Sequence, residues 1–121
     1  MGHSSLWLFN MEMCCSKQIS SLRAKLEECK RIGRTNCVVG PNYPAASNED
    51  YLFDCMNIYA RLKEDGQVEV EGTVFYWNPT DGDTQKSVVI RTFKNLDECL
   101  SWISNGSSAK KDCVEALDEN C

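Results

Sequence analysis

Residues 51–83 read YLFDCMNIYARLKEDGQVEVEGTVFYWNPTDGD, and whether they form strands or a helix decides the fold. From Val68 onward the pattern has period two. Val68, Val70, Val74 and Tyr76 share one face, with Gly72 among them. Glu69, Glu71, Thr73, Phe75 and Trp77 share the other. That is a strand with an apolar face and a second face that begins acidic and ends aromatic. The run before it fits two templates. As a helix it starts at Ser47-x-x-Asp50 and carries a stripe of Leu52, Met56, Tyr59 and Leu62. As a strand it puts Leu52, Met56, Ile58, Ala60 and Leu62 on one face, with Asp54 the misfit, and Asn57, Arg61 and Lys63 on the other. Asp65–Gly66 between the two runs reads as a two-residue hairpin turn, which favours the strand.

Outward from this stretch, NPTDGDTQ (78–85) reads as a loop and KSVVIRTF (86–93) as a third strand. Val88, Ile90 and Thr92 alternate there with Val89, Arg91 and Phe93. Both faces are largely apolar, as in a central or doubly covered strand. Upstream, Cys15, Ile19, Leu22, Leu26 and Cys29 recur at helical spacing, which predicts a helix over about 15–32. Lys30 and Arg31 oppose the dipole of its last turn, and Gly33 is its stop. RTNCVVGPNYPAASNED (34–50) reads as a loop, broken by Gly40–Pro41 and Tyr43–Pro44. Downstream, Asn95 caps a short helix, with Glu98 three residues on and Leu96, Cys99, Leu100 and Ile103 on one face. Ser104–Ser108 reads as a linker. A last helix follows from Ala109, with Cys113, Val114 and Leu117 inward.

The expected fold is therefore α+β. An N-terminal helix packs on a three-stranded antiparallel meander, with room for a fourth strand, and two short C-terminal helices follow. Residues 1–13 are expected to be a flexible segment, with Met1–Gly2–His3 fitting an expression scar, and 14–121 a single disulfide-rich domain. A chain of 121 residues suffices for one thin core.

Eight cysteines stand at Cys14, Cys15, Cys29, Cys37, Cys55, Cys99, Cys113 and Cys121. No C-x-x-C pair occurs and His3 is the one histidine, which argues against zinc or another metal. The expectation is a disulfide framework, each bridge worth about 2–4 kcal/mol, and hence a secreted, extracellular protein. Asn105–Gly106–Ser107 is an acceptor for N-glycosylation. The net charge is −5, with no basic stripe, so nucleic acid is not an expected partner. No apolar run reaches the length of a membrane span.

Catalysis is not expected, because the usual base for a serine or cysteine nucleophile is missing; no cofactor is implied. Glu69 and Glu71 stand on one strand face, about 7 Å apart by strand rise, and read as a solvated acidic surface. Asp81–Gly82–Asp83 has the look of a calcium-loop fragment, but without the closing glutamate it reads as a turn. Phe75 and Trp77 are the feature to follow. If the tail helices cover their face, they are core and Trp102 meets Trp77; if not, they form an apolar patch that marks a binding site.

The function these residues suggest is a small, secreted, non-catalytic binding protein of the effector, venom, salivary or immune-modulating type. It would engage a protein or a small apolar ligand through Phe75, Trp77, Asp81 and Asp83. Two alternatives stand beside it. One is a disulfide-stabilised protease inhibitor presenting Pro41, Asn42, Tyr43 and Pro44. The other is a structural or self-assembling extracellular component.

Overall fold

A computed structural model describes residues 5–40 and 57–118, with side chains at 12–40, 57–73, 79–82 and 86–118. The described elements run α1 (Ser5–Ile32), β1 (Cys37–Val39), β2 (Asn57–Leu62), β3 (Val68–Asn78), β4 (Gly82–Phe93), α2 (Leu96–Ser104) and α3 (Gly106–Asp118). The fold is α+β. The strands form one antiparallel sheet in the order β1-β2-β3-β4, and the three helices pack on one face of it and on one another.

α1 follows the expected stripe: Cys15, Ile19, Leu22, Leu26 and Cys29 are all buried. Its backbone begins at Ser5, about ten residues ahead of the stripe, so positions 5–13 are helical. It ends in a Schellman motif. Gly33, at φ +69°, donates its N–H to the Lys30 carbonyl, and Arg34 donates to that of Cys29.

The run 57–62 is a strand; residues 51–56 lie outside the described ones. Ile58, Ala60 and Leu62 point to the core, as do Val68 and Val70 across from them. The turn between them differs from the expected two-residue hairpin. Leu62 pairs with Val68, the Gly66 N–H bonds the Lys63 carbonyl, and Gly66 takes φ +93°. This is a three-residue loop, Glu64–Gly66, with glycine in the left-handed position. Apolar alternation forces it. A two-residue turn at Asp65–Gly66 would pair Leu62 with Glu69 and put valines against Arg61.

Two more expectations change. β1 lies in the run read as a loop; at three residues it is too short for alternation to reveal. Among the described residues it pairs with β2 alone, from Cys37↔Leu62 to Val39↔Ala60. Beyond its end, α1 takes over as partner: the buried Gln18 Oε1 accepts the Ile58 N–H at 2.6 Å. β4, read as central or doubly covered, is an edge strand among the described residues, and it begins at Gly82, leaving only Pro79–Asp81 as loop. Its apolar residues on both parities come from a bulge. Val70 pairs with Arg91 and Glu71 with Val89, so Ile90 is an extra residue and alternation resets after it. Val88, Ile90 and Phe93 all join the core, while Val89 is exposed.

The tail helices close the layer. Asn95 Oδ1 accepts the Glu98 N–H at 2.9 Å, the cap read from sequence. The expected linker shrinks to Asn105 alone. Its N–H ends α2 on the Ser101 and Trp102 carbonyls, and its carbonyl accepts the Ala109 N–H in α3. α3 lies close over β3: a Cβ on Gly72 would sit 2.6 Å from Leu117 Cδ2. Glycine at 72 is what lets this helix seat. Trp102 meets Phe93, centroids 5.2 Å apart, and donates its indole N–H to Asp112 at 2.7 Å.

The disulfide framework is not present among the described cysteines. No bond joins any two of Cys14, Cys15, Cys29, Cys37, Cys99 and Cys113; Cys55 and Cys121 lie outside the described residues. Five of the six are buried in the apolar cluster and the sixth, Cys37, packs against it, filling space as small hydrophobes do.

Candidate functional site

With the helices on the Val68–Val70 face, the opposite face of the sheet has no helix on it among the described residues. Positions there come from alternate residues of neighbouring strands: Val38, then Tyr59 and Arg61, then Glu69, Glu71 and Thr73, then Ser87 and Val89. Val38 and Val89 are about half exposed.

A hydrogen-bonded chain runs across the middle of this face. Glu71 accepts from Arg61 Nε at 3.1 Å and from Ser87 Oγ at 3.0 Å. Ser87 has one hydroxyl proton and gives it to Glu71. The 3.0 Å contact between Tyr59 and Ser87 is therefore a Tyr59 O–H donating to Ser87 Oγ. Four side chains on three strands are thus linked, and two of them, Arg61 and Ser87, donate to the Glu71 carboxylate. Glu71 is only 7% exposed, which corrects the reading of it as a solvated acid.

Arg61 reaches Glu71 along a diagonal, since its direct register partner is Glu69. Lys63 does the same towards Glu69, at 3.4 Å. Diagonal pairs on one face lie within reach of long side chains. Glu71 holds the Arg61 guanidinium above its ordinary pKa, first by hydrogen bonding and then by its charge. Sequence reasoning assigned Arg61 to the outer face but did not find this cluster. Its signal is the alternation of opposite charges on two adjacent strands, which becomes readable once the three-residue turn fixes the register.

The chemistry available here is limited. Ser87 has a carboxylate beside it, as a nucleophile with its base would, but that carboxylate is already ion-paired with Arg61. Glu69 is likewise bound to Lys63. The arrangement fixes these side chains in place.

The predicted contact residues fall at the far end of the β3–β4 hairpin. Trp77 pairs in register with Asp83, Phe75 with Gln85, and Asp81 is exposed in the connecting loop. The backbone therefore brings Trp77, Asp81 and Asp83 together. The register from Glu71 to Asn78 is unbroken, so positions 75 and 77 continue the alternation of 71 and 73. The side chains of 74–78 and 83–85 lie outside the described ones. Pro41, Asn42, Tyr43 and Pro44, the inhibitory-loop candidates, also lie outside the described residues. Asn105 is exposed at the α2–α3 corner, with Ser107 in the first turn of α3.

The helical side offers a second depression. An open groove of about 430 Å³ is lined by Ile90, Arg91, Asp112, Glu115 and Ala116. Its own ion pair, Arg91 to Asp112 at 2.8 Å, spans it. Burial pushes the thiols of Cys99 and Cys113 up to about 12, with Asp112 adding to the effect at Cys113. Burial also pushes the Cys29 thiol up, and Cys37 beside it adds to this. Among the described residues, no three His, Cys, Asp or Glu side chains gather to hold a metal ion, and no helix is long and apolar enough to cross a membrane. Compared with protein-family models, curated proteins and solved structures, the chain matches none.

Proposed function

We propose that this is a secreted, non-catalytic binding protein that engages a protein partner through the sheet face opposite its helices. The observation that supports the reading is the one-sided packing. α1, α2 and α3 share one face of the sheet, and the other carries a fixed polar cluster flanked by exposed Val38 and Val89. A rigid face of this kind costs little ordering on association. Positions 75 and 77 continue the same alternation along β3 with a phenylalanine and a tryptophan, and tryptophan is among the residues enriched at binding hot spots. Asp81 and Asp83 at its end, in a chain of net charge −5, select a partner surface that carries lysine or arginine. Extracellular placement and modification of Asn105 belong to the same proposal, and rest on the acceptor motif Asn105–Gly106–Ser107.

The test is a photo-reactive amino acid at Val89, with a control at Ser108 on the helical side. The partner captured only from Val89 is purified, and its affinity is measured against the wild type, Trp77→Ala and Lys111→Ala. The expected result is a loss of tenfold or more for Trp77→Ala, equivalent to about 1.4 kcal/mol, and no loss for Lys111→Ala. Equal affinity in all three sinks the proposal, as does a Trp77→Ala protein that no longer folds.

A further inference from the structure

Among the described residues the sheet ends in two unlike edges. β1 is three residues long, and brevity blunts it as a template for another strand. β4 is twelve residues long and pairs with β3 on one side. Its register with β3 is unbroken from Gly82 to Val89, up to the bulge at Ile90. Such an edge presents outward N–H and C=O groups that can pair with a further strand.

Beside this edge lies the groove between β4 and α3. One of its acids is already answered: Asp112 accepts from Arg91 at 2.8 Å and from the Trp102 indole at 2.7 Å. The other, Glu115, is held only by Lys111 at 4.0 Å, with both side chains more than half exposed. A lysine stands on the same side of the sheet. Val88 packs against the core, so position 86, two residues earlier, shares the helix-side face of β4. Lys86 is exposed and forms no ion pair among the described residues.

We propose that a second copy of the chain occupies this edge, β4 pairing antiparallel with β4 about a two-fold axis at Val88. Symmetry narrows the register. The helices of both copies stay on one side of a continuous sheet only if residues of the same face lie opposite each other. An axis at Lys86 would set two ammonium groups against each other. An axis at Val88 sets valine against valine, and Lys86 of each copy opposite Ile90 of the other, at the mouth of the groove that holds Glu115. The charge contact is then made twice. The bulge at Ile90 keeps the ladder short, so these two contacts fix its register. This pairing does not depend on the partner proposed for the outer face.

The experiment follows the mass of the full chain in reductant by sedimentation over a dilution series. The samples are the wild type, Lys86→Glu, Glu115→Lys and an equimolar mixture of the two variants. The wild type is expected to be a dimer that dissociates on dilution, with β4 amides that exchange more slowly as concentration rises. Each variant alone meets itself through two like-charge contacts, and its dimer should weaken by about tenfold or more. The mixture should recover the dimer, because each variant then meets its complement at both contacts. A wild type that stays monomeric up to about 1 mM overturns the proposal. So does a dimer that both variants leave intact, or a mixture that fails to restore it. A monomer whose β4 amides are already protected would mean that another part of the same chain covers the edge, and overturns it too.

Discussion

Val70 and Glu71 are neighbours in β3 and almost equally buried, at 0% and 7% exposure, for opposite reasons. Val70 faces the helices and is covered by apolar side chains. Glu71 faces away from them and is covered by its own hydrogen-bond donors, Arg61 and Ser87. On one side of the strand water is excluded by packing; on the other it is displaced by a polar network that fixes side chains with no helix over it among the described residues. The first face holds the described helices on the sheet, and the second is held by its own hydrogen bonds.

The largest effect is expected at high pH on the helical side. Cys99 and Cys113 have folded-state values raised to about 12, above those of an unfolded thiol. Their contribution is complete below about pH 9 and is lost as pH rises towards 12, because the unfolded chain releases its thiol protons first. Each thiol should steepen the fall by up to about 1.4 kcal/mol per pH unit. Urea titrations at stepped pH should show it, and Cys113→Ala should flatten the slope. Next in size, Leu22→Ala removes a fully buried side chain and should cost about 2–5 kcal/mol in the same assay. Gly72→Ala should cost about 1–3 kcal/mol by pushing on Leu117, and Leu117→Ala in the same chain should cancel part of that.

Across the strand the costs should fall. Glu71→Gln replaces the carboxylate that Arg61 and Ser87 share, and should lower stability by about 1–2 kcal/mol without loosening the helices. Val89→Ala should change stability by less than about 0.5 kcal/mol. A cost at Val89 as large as that at Leu22 would mean that the two faces are packed alike.

The helical side of this molecule was legible in the sequence for a physical reason. Burial by packing demands periodicity, so the α1 stripe and the valines of β3 announce their faces, and Asn95 and Gly33 mark helix ends through backbone hydrogen bonds that they alone satisfy. The outer face was less legible because a polar cluster depends on register between strands. Register turned on one residue in the 64–66 loop, and composition does not reveal that. β4 misled for a related reason: the bulge at Ile90 shifts the alternation, so an edge strand looks apolar on both sides. The cysteine count pointed to a framework of bonds, yet the described sulfurs are placed as small apolar groups in the interior. Strand pairing brings positions 75, 77, 81 and 83, the proposed contact residues, to one end of the β3–β4 hairpin.

Side-chain methyl relaxation in the presence of a soluble gadolinium chelate tests the one-sided packing most directly. The account predicts strong relaxation at Val38 and Val89 and none at Ile58, Val68 or Val70. Val89 methyls as well protected as those of Val70 would contradict it.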